Sequence, residues 1–169
     1  MNATASKRLI GWLEDAYAME QEAETMMKAM AGRIEHYPEL KARIEQHVQE
    51  TRWQAEQLAA CITGLGASLP DMKGAVAKAM AGMHAMGNAM MSDEVAKGVG
   101  ISYAFEHMEI ASYRALLVAA EREGQQTVVD TCQAILRQEE AMAEWLYEHQ
   151  PAVIRAFLER EAADVEAKR

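Results

Sequence analysis

Ser102-Tyr103-Ala104-Phe105-Glu106-His107-Met108-Glu109-Ile110-Ala111-Ser112-Tyr113 is the stretch whose reading decides the fold. Steps of three and four through it link Val95, Val99, Ser102, Glu106, Glu109, Tyr113, Leu116 and Ala120. That spacing predicts one continuous helix face with apolar ends. Its centre holds two carboxylates one turn apart. An ionised carboxylate in a core is costly unless something positive meets it. The rest of the chain must supply what meets these two.

Working outward, the composition favours an all-α protein. The 169 residues are 50% hydrophobic and include only three prolines. Ala, Glu, Met, Gln and Leu dominate, and no run alternates like a strand for long. The length suits a single domain over 1–169, with a charged tail from about 161. The net charge of −9 argues against nucleic acid as a partner, because phosphate binding needs a basic face. No apolar run reaches spanning length, and no charged-then-apolar leader opens the chain, so no membrane partner is expected. Cys61 and Cys132 lie inside helical patterns. They read as buried thiols in a reducing compartment and not as a disulfide framework.

Upstream, the first predicted helix runs from about Ser6 to about Tyr37, with the stripe Leu9, Leu13, Ala16, Glu20, Ala23, Met27, Met30 and Ile34. Glu24 lies one turn beyond Glu20, beside the stripe. Pro38 ends this helix and opens the next, which reaches Thr63. The second stripe is Leu40, Ile44, His47, Thr51, Gln54, Leu58 and Ile62, with Glu50 on its edge. Gly64 and Gly66 stop it. Ser68-Leu69-Pro70-Asp71 reads as a new helix start. From there to Met91 the chain is Met-rich and reads as a helical crossover between two long helices. Soft core packing explains those methionines better than a soft-metal site.

Downstream, Ser92-Asp93-Glu94 is expected to cap the helix of the opening stretch, which ends near Gly124. Gly98 and Gly100 suit a close helix approach. The next helix spans about Gln125 to His149, with the stripe Val128, Cys132, Ile135, Glu139, Met142 and Leu146. Pro151 is expected to break it and open a short C-terminal helix carrying Val153, Ile154, Phe157 and Leu158.

Four long helices thus carry apolar stripes that each turn polar near the middle. The candidate site is Glu20, His47, Glu50, Glu106, Glu109 and Glu139. Carboxylates gathered from four helices are how di-iron and di-manganese proteins hold two ions in a bundle core. Hard and borderline cations prefer oxygen ligands, and bridging carboxylates neutralise two cations at short separation. Any one of these glutamates alone would read as a salt-bridged or misread position. Jointly they are harder to dismiss, because no Lys or Arg stands in a core stripe to pair them. Tyr113 and Tyr17 read as core aromatics with bonded hydroxyls. His107 points off the stripe.

At these residues the chain resembles the ferritin-like YciE/YciF stress proteins, and most closely the YciE branch. The matching stretches are Asp15-Ala16-Tyr17-Ala18-Met19-Glu20, Tyr37-Pro38-Glu39-Leu40, and Ala42-Arg43-Ile44-Glu45-Gln46-His47 continuing to Glu50-Thr51. Others are Phe105-Glu106, Glu109-Ile110-Ala111-Ser112-Tyr113 and Met142-Ala143-Glu144-Trp145-Leu146. The resemblance implies a ferritin-like four-helix bundle, a homodimer, a cytoplasmic protein and a role in stress responses. It places metal ligands on Glu20, Glu50, Glu106, Glu109 and Glu139. One departure stands out. Many ferritin-like di-iron proteins use Glu-x-x-His on two helices, whereas Glu50 is followed at that spacing by Trp53 and Glu139 by Met142. His47, one turn before Glu50, is the available nitrogen.

The expected function is a di-metal carboxylate protein with two divalent ions, iron or manganese, working on peroxide or iron. Glu106 and Glu109 would span the ions, Glu20 and Glu50 lying on one side and Glu139 on the other. The rival expectation is a non-catalytic stress-related binding or scaffold protein with a vestigial site.

Overall fold

The architecture comes from a computed structural model that describes residues 3–71 and 93–167. The Met-rich crossover, its glycines and Ser92 lie outside the described residues. Among the described residues four helices account for the fold: α1 Ala3–Arg33, α2 Pro38–Gly64, α3 Glu94–Arg122 and α4 Gln126–Ala162. Helix α1 packs chiefly on α2, and α3 on α4. The two hairpins meet through α1 with α3 and α2 with α4. The result is a four-helix bundle, and no strand occurs among the described residues.

The stripes predicted from spacing are the buried faces. Every position of the α2 stripe and of the α4 stripe is buried. On α3 the buried set matches except that Ser102 is only half-buried. On α1 the inward residue of the penultimate turn is Ala31, and Met30 sits half-buried beside it. A straight helix drifts relative to a 4-3 count over several turns, and by residue 30 the drift has reached one position. The terminal methyl of Met30 lies 2.9 Å from where a Cβ on Gly98 would stand, so α3 approaches α1 closely there. Gly100 has no such neighbour on α1; only the Gln150 amide comes within 4 Å.

Helix ends show where local chemistry was misjudged. Helix α1 stops at Arg33, four residues short of Tyr37, and Pro38 opens α2 as its first residue. Asp93 is the N-cap of α3 but makes no side-chain capping bond. Glu94 instead turns inward and pairs with Arg33 Nε at 2.5 Å. Helices α2 and α3 both end on glycine with positive φ, Gly66 at 79° and Gly124 at 66°. In each, the following N–H reaches back to the carbonyl of Ile62 or Ala120, at 3.1 and 2.9 Å. That is the double-bonded left-handed ending, which glycine adopts without a Cβ penalty.

The expected break at Pro151 and the separate short C-terminal helix do not occur. Helix α4 runs unbroken to Ala162 with Pro151 inside it. Proline removes the backbone donor to the carbonyl four residues earlier. Here both Pro151 and Tyr147 are on the exposed side, where water can take up the freed carbonyl. The segment beyond is anchored by burial of Val153 and Phe157 in the same cluster as Ile34, Tyr37 and Val95. Tyr37 Oη then donates to the Ala167 carbonyl at 2.6 Å. The chain up to Ala167 is thus pinned across the α1–α2 turn.

The core is not continuous. One apolar cluster holds Ala23, Met27, Ile44, Val48, Val99 and Met142 with their neighbours. The other holds Leu9, Leu13, Leu58, Tyr113, Leu116 and Ile135 with theirs. Between them lies a polar layer drawn from all four helices.

Candidate metal centre

The layer consists of Glu20, His47, Thr51, Gln54, Glu106, Glu109 and Glu139, all buried. Each is there because its helix places a mid-stripe seat inward and the sequence fills that seat with a polar residue. His47, Glu106, Glu109 and Glu139 form the tightest group. One ligand atom from each lies within 4.8 Å of the others. His47 Nε2 is 3.2 Å from Glu106 Oε2 and 3.5 Å from Glu139 Oε2. Gln54, wholly buried, donates its amide to Glu139 Oε1 and, at 2.9 Å, to Gln138 Oε1.

The remaining two candidates stand differently. Glu20 is buried next to the group, and Tyr113 Oη donates to its Oε1. The expected bonded hydroxyl of Tyr113 is therefore found, and its partner is a candidate ligand. Glu50 lies on the edge, and its oxygens are taken. His47 Nδ1 is 2.6 Å from Oε2, Arg43 Nη1 donates to the same oxygen at 3.1 Å, and Gln46 donates to Oε1 at 2.8 Å. Glu50 is not in the four-residue group. Spacing along a helix put Glu50 near the stripe but could not rank its partners. Arg43 is the residue that sequence reading overlooked. It sits seven positions before Glu50 and four before His47, and that i, i+4, i+7 line on one helix face was the available signal. Glu24, off the stripe, pairs with Lys28 and with Arg52 at 2.5 Å on the outer surface. His107 is exposed. It packs edge-on against Tyr103 at 4.5 Å, in a groove of about 390 Å³ on the outer α3–α4 face.

Electrostatics follow from crowding acids in a dry layer. Burial pushes Glu109 well above the usual carboxylate range, and the charges of Glu20 and Glu139 push it further. Burial and then Glu139 raise Glu20 strongly, against the pull of the Tyr113 hydroxyl. Burial lifts Glu106 to about 7, although His47 opposes it. Burial would also raise Glu139, but bonds from His47 and from protonated neighbours hold it below its ordinary value. Burial favours neutral His47, yet Glu106, Glu139 and Glu50 outweigh this and keep its ring protonated. Without a cation, then, the layer keeps one imidazolium, one firm carboxylate and several retained protons. Glu50 behaves oppositely. Its partial burial is overridden by His47 and Arg43, which bring it down to about 2.

A divalent ion fits this donor set. Glu109 Oε1 is buried without a hydrogen-bond donor, and Glu106 Oε2 and Glu139 Oε2 are buried against the His47 ring at 3.2 and 3.5 Å. Three carboxylates and one imidazole suit iron, manganese or zinc, and a cation would displace the protons that these acids otherwise hold. A second ion needs Glu20 to give up Tyr113 or Glu50 to give up Arg43.

A ferritin-like four-helix bundle crossed by a buried histidine–carboxylate layer is the class that fold and site define. No helix among the described residues is long and apolar enough to cross a membrane. The chain belongs to the family described as Domain of unknown function (DUF892), which it matches over residues 4–159. It is 56% identical to a protein of Xanthomonas campestris pv. campestris, over 95% of this chain and 99% of that one, with a TM-score of 0.82. The E. coli stress protein YciF shares the fold at 20% identity and a TM-score of 0.76, over 89% of this chain and 96% of that one. YcfI of Rhodopseudomonas palustris does so at 24% and 0.71, over 85% and 92%.

Proposed function

We propose that this protein binds divalent iron or manganese in its polar layer and carries out redox work on peroxide or iron in a stress response. The observation that supports this most is the convergence of His47, Glu106, Glu109 and Glu139 from three helices, three buried carboxylates facing one imidazole. Structural strata in helical bundles gain little from acids that must keep protons at neutral pH, whereas a cation turns the same residues into a stabilising set. Those four residues would hold a first ion, and Glu20, once released from Tyr113, would join Glu106 and Glu109 in holding a second. Bound iron or manganese would supply one-electron chemistry. The chain's own part is to exclude bulk water with the two apolar clusters and to hold the Tyr113 proton beside the centre, where burial keeps that hydroxyl protonated.

The resemblance to YciE and YciF extends the proposal to a cytoplasmic homodimer, on the YciE side of the family, without nucleic-acid or membrane partners. A second reading has its own support. Tyr113 already engages Glu20, and Arg43 and Gln46 already engage Glu50. A non-catalytic binding or scaffold protein with a vestigial site would keep such internal pairing.

Elemental analysis separates the two. Protein purified without chelator is expected to carry one to two equivalents of iron or manganese per chain and, when loaded, to consume peroxide. Metal below a tenth of an equivalent, unaltered by dialysis against Mn²⁺ or Fe²⁺, would leave the scaffold reading standing.

A further inference from the structure

Resemblance makes Glu50 a metal ligand, but its surroundings describe another job. We infer that Glu50 is a positioning residue that, backed by Arg43, orients His47 so that Nε2 faces the metal group. This rests on the metal-binding reading above and refines which side chains do what within it.

Four contacts carry the argument. Glu50 Oε2 lies 2.6 Å from His47 Nδ1, and the same oxygen receives Arg43 Nη1 at 3.1 Å. Glu50 Oε1 receives Gln46 Nε2 at 2.8 Å. The other ring nitrogen of His47 points the opposite way, 3.2 Å from Glu106. A carboxylate can accept about four hydrogen bonds, and three are in use. To reach the metal group as a ligand, Glu50 would have to turn away from donors that already hold both of its oxygens. It would strand Arg43, whose side chain is only 11% exposed, next to an arriving dication. That is an uncompensated charge in a costly place. Held where it is, Glu50 does what outer carboxylates do for metal-bound histidines. It accepts the hydrogen bond from Nδ1–H, fixes the tautomer and aims the Nε2 lone pair. To accept a cation, Nε2 would have to lose its proton to solvent, while the Nδ1 proton would stay on the bond to Glu50 and Arg43 would keep Glu50 turned to the rim.

The arrangement also explains the missing Glu-x-x-His motifs. On α2 the histidine stands three residues before the glutamate instead of three after it. The order His47-x-x-Glu50 exchanges their places, so that the histidine faces inward and the glutamate faces the rim.

The test measures Mn²⁺ affinity and stoichiometry by calorimetry in the full chain. Zn²⁺ serves as the diamagnetic probe for nitrogen NMR of labelled histidine. Glu50→Ala should weaken Mn²⁺ binding about 10–100-fold with the number of ions per chain unchanged. Its Zn²⁺-loaded His47 should lose the strongly hydrogen-bonded Nδ1 proton signal. Glu50→Gln, which keeps an oxygen for that proton, should recover most of the affinity and the signal. A fall in the number of ions bound by Glu50→Gln would make Glu50 a ligand and overturn the inference. So would an unchanged Nδ1 signal in Glu50→Ala. If the unsubstituted protein binds neither ion, the metal reading itself fails and the positioning role goes with it.

Discussion

Glu109→Gln is expected to make the metal-free protein more stable and to abolish most of its response to metal. At neutral pH the unfolded chain ionises Glu109, while the folded layer holds it protonated through burial and the charges of Glu20 and Glu139. Glutamine has nearly the same volume and needs no proton, so the variant avoids that cost. The gain should be on the order of 1–3 kcal/mol near pH 7 and should vanish near pH 4.5. With Mn²⁺ or Fe²⁺ the sign reverses. The unsubstituted protein gains melting temperature through linkage, and the variant, short of one buried ligand oxygen, gains much less. Two melting curves for each protein, with chelator and with metal, decide the matter. Equal metal-induced shifts in both would sink the metal reading and favour the scaffold.

Stability against pH carries the second large effect. Glu106 is raised to about 7, and Glu20 and Glu109 well beyond the ordinary value. Groups raised in the folded state contribute fully below their unfolded values and lose that contribution as pH climbs through their folded ones. His47, also raised, adds a loss above its ordinary value. Glu50, depressed to about 2, works the other way and withdraws stability only as pH falls below about 4.5. The chelated protein is therefore expected to be most stable near pH 5. Glu106 alone accounts for a decline on the order of 3 kcal/mol toward pH 8. Saturating Mn²⁺ should flatten or invert that slope, because metal binding to deprotonated ligands strengthens with pH. General repulsion in a chain of net charge −9 would tilt the curve in the same direction. The control is Glu109→Gln, whose chelated slope should be shallower by about one ionising group. Stability that rises from pH 5 to 8 in chelator would show that the layer does not retain its protons.

Much of this was legible because a bundle core is periodic. On α2 the steps from Leu40 to Ile62, and on α4 those from Val128 to Leu146, name the buried faces without error. The mid-stripe acids could be picked out for the same reason. A polar residue in an apolar row is visible in one dimension. What the sequence hid were relations with no period. Arg43 shares the His47–Glu50 line, but spacing does not rank its partners, and only the folded helix shows its guanidinium on Glu50 and not in solvent. Pro151 reads locally as a break. The helix continues because packing of Val153 and Phe157 two turns later outweighs the lost backbone bond. Asp93 reads as a side-chain cap, but it makes no capping bond, while Glu94 beside it is paired with Arg33. For Pro151 and for Glu94 a tertiary contact decided against the local preference.

The tail that crosses the α1–α2 turn has a consequence for the order in which the molecule is made. Ile34 and Tyr37 leave the ribosome well before Phe157, which shares their cluster, and before Ala167, whose carbonyl receives the Tyr37 hydroxyl. Polar seats at Glu20 and His47 deprive the early hairpin of a continuous apolar seam as well. Nascent chains stalled short of residue 153 should therefore be cut by protease at the α1–α2 turn, and chains released beyond residue 167 should resist. The N-terminal half of this bundle spends its synthesis waiting for the other end.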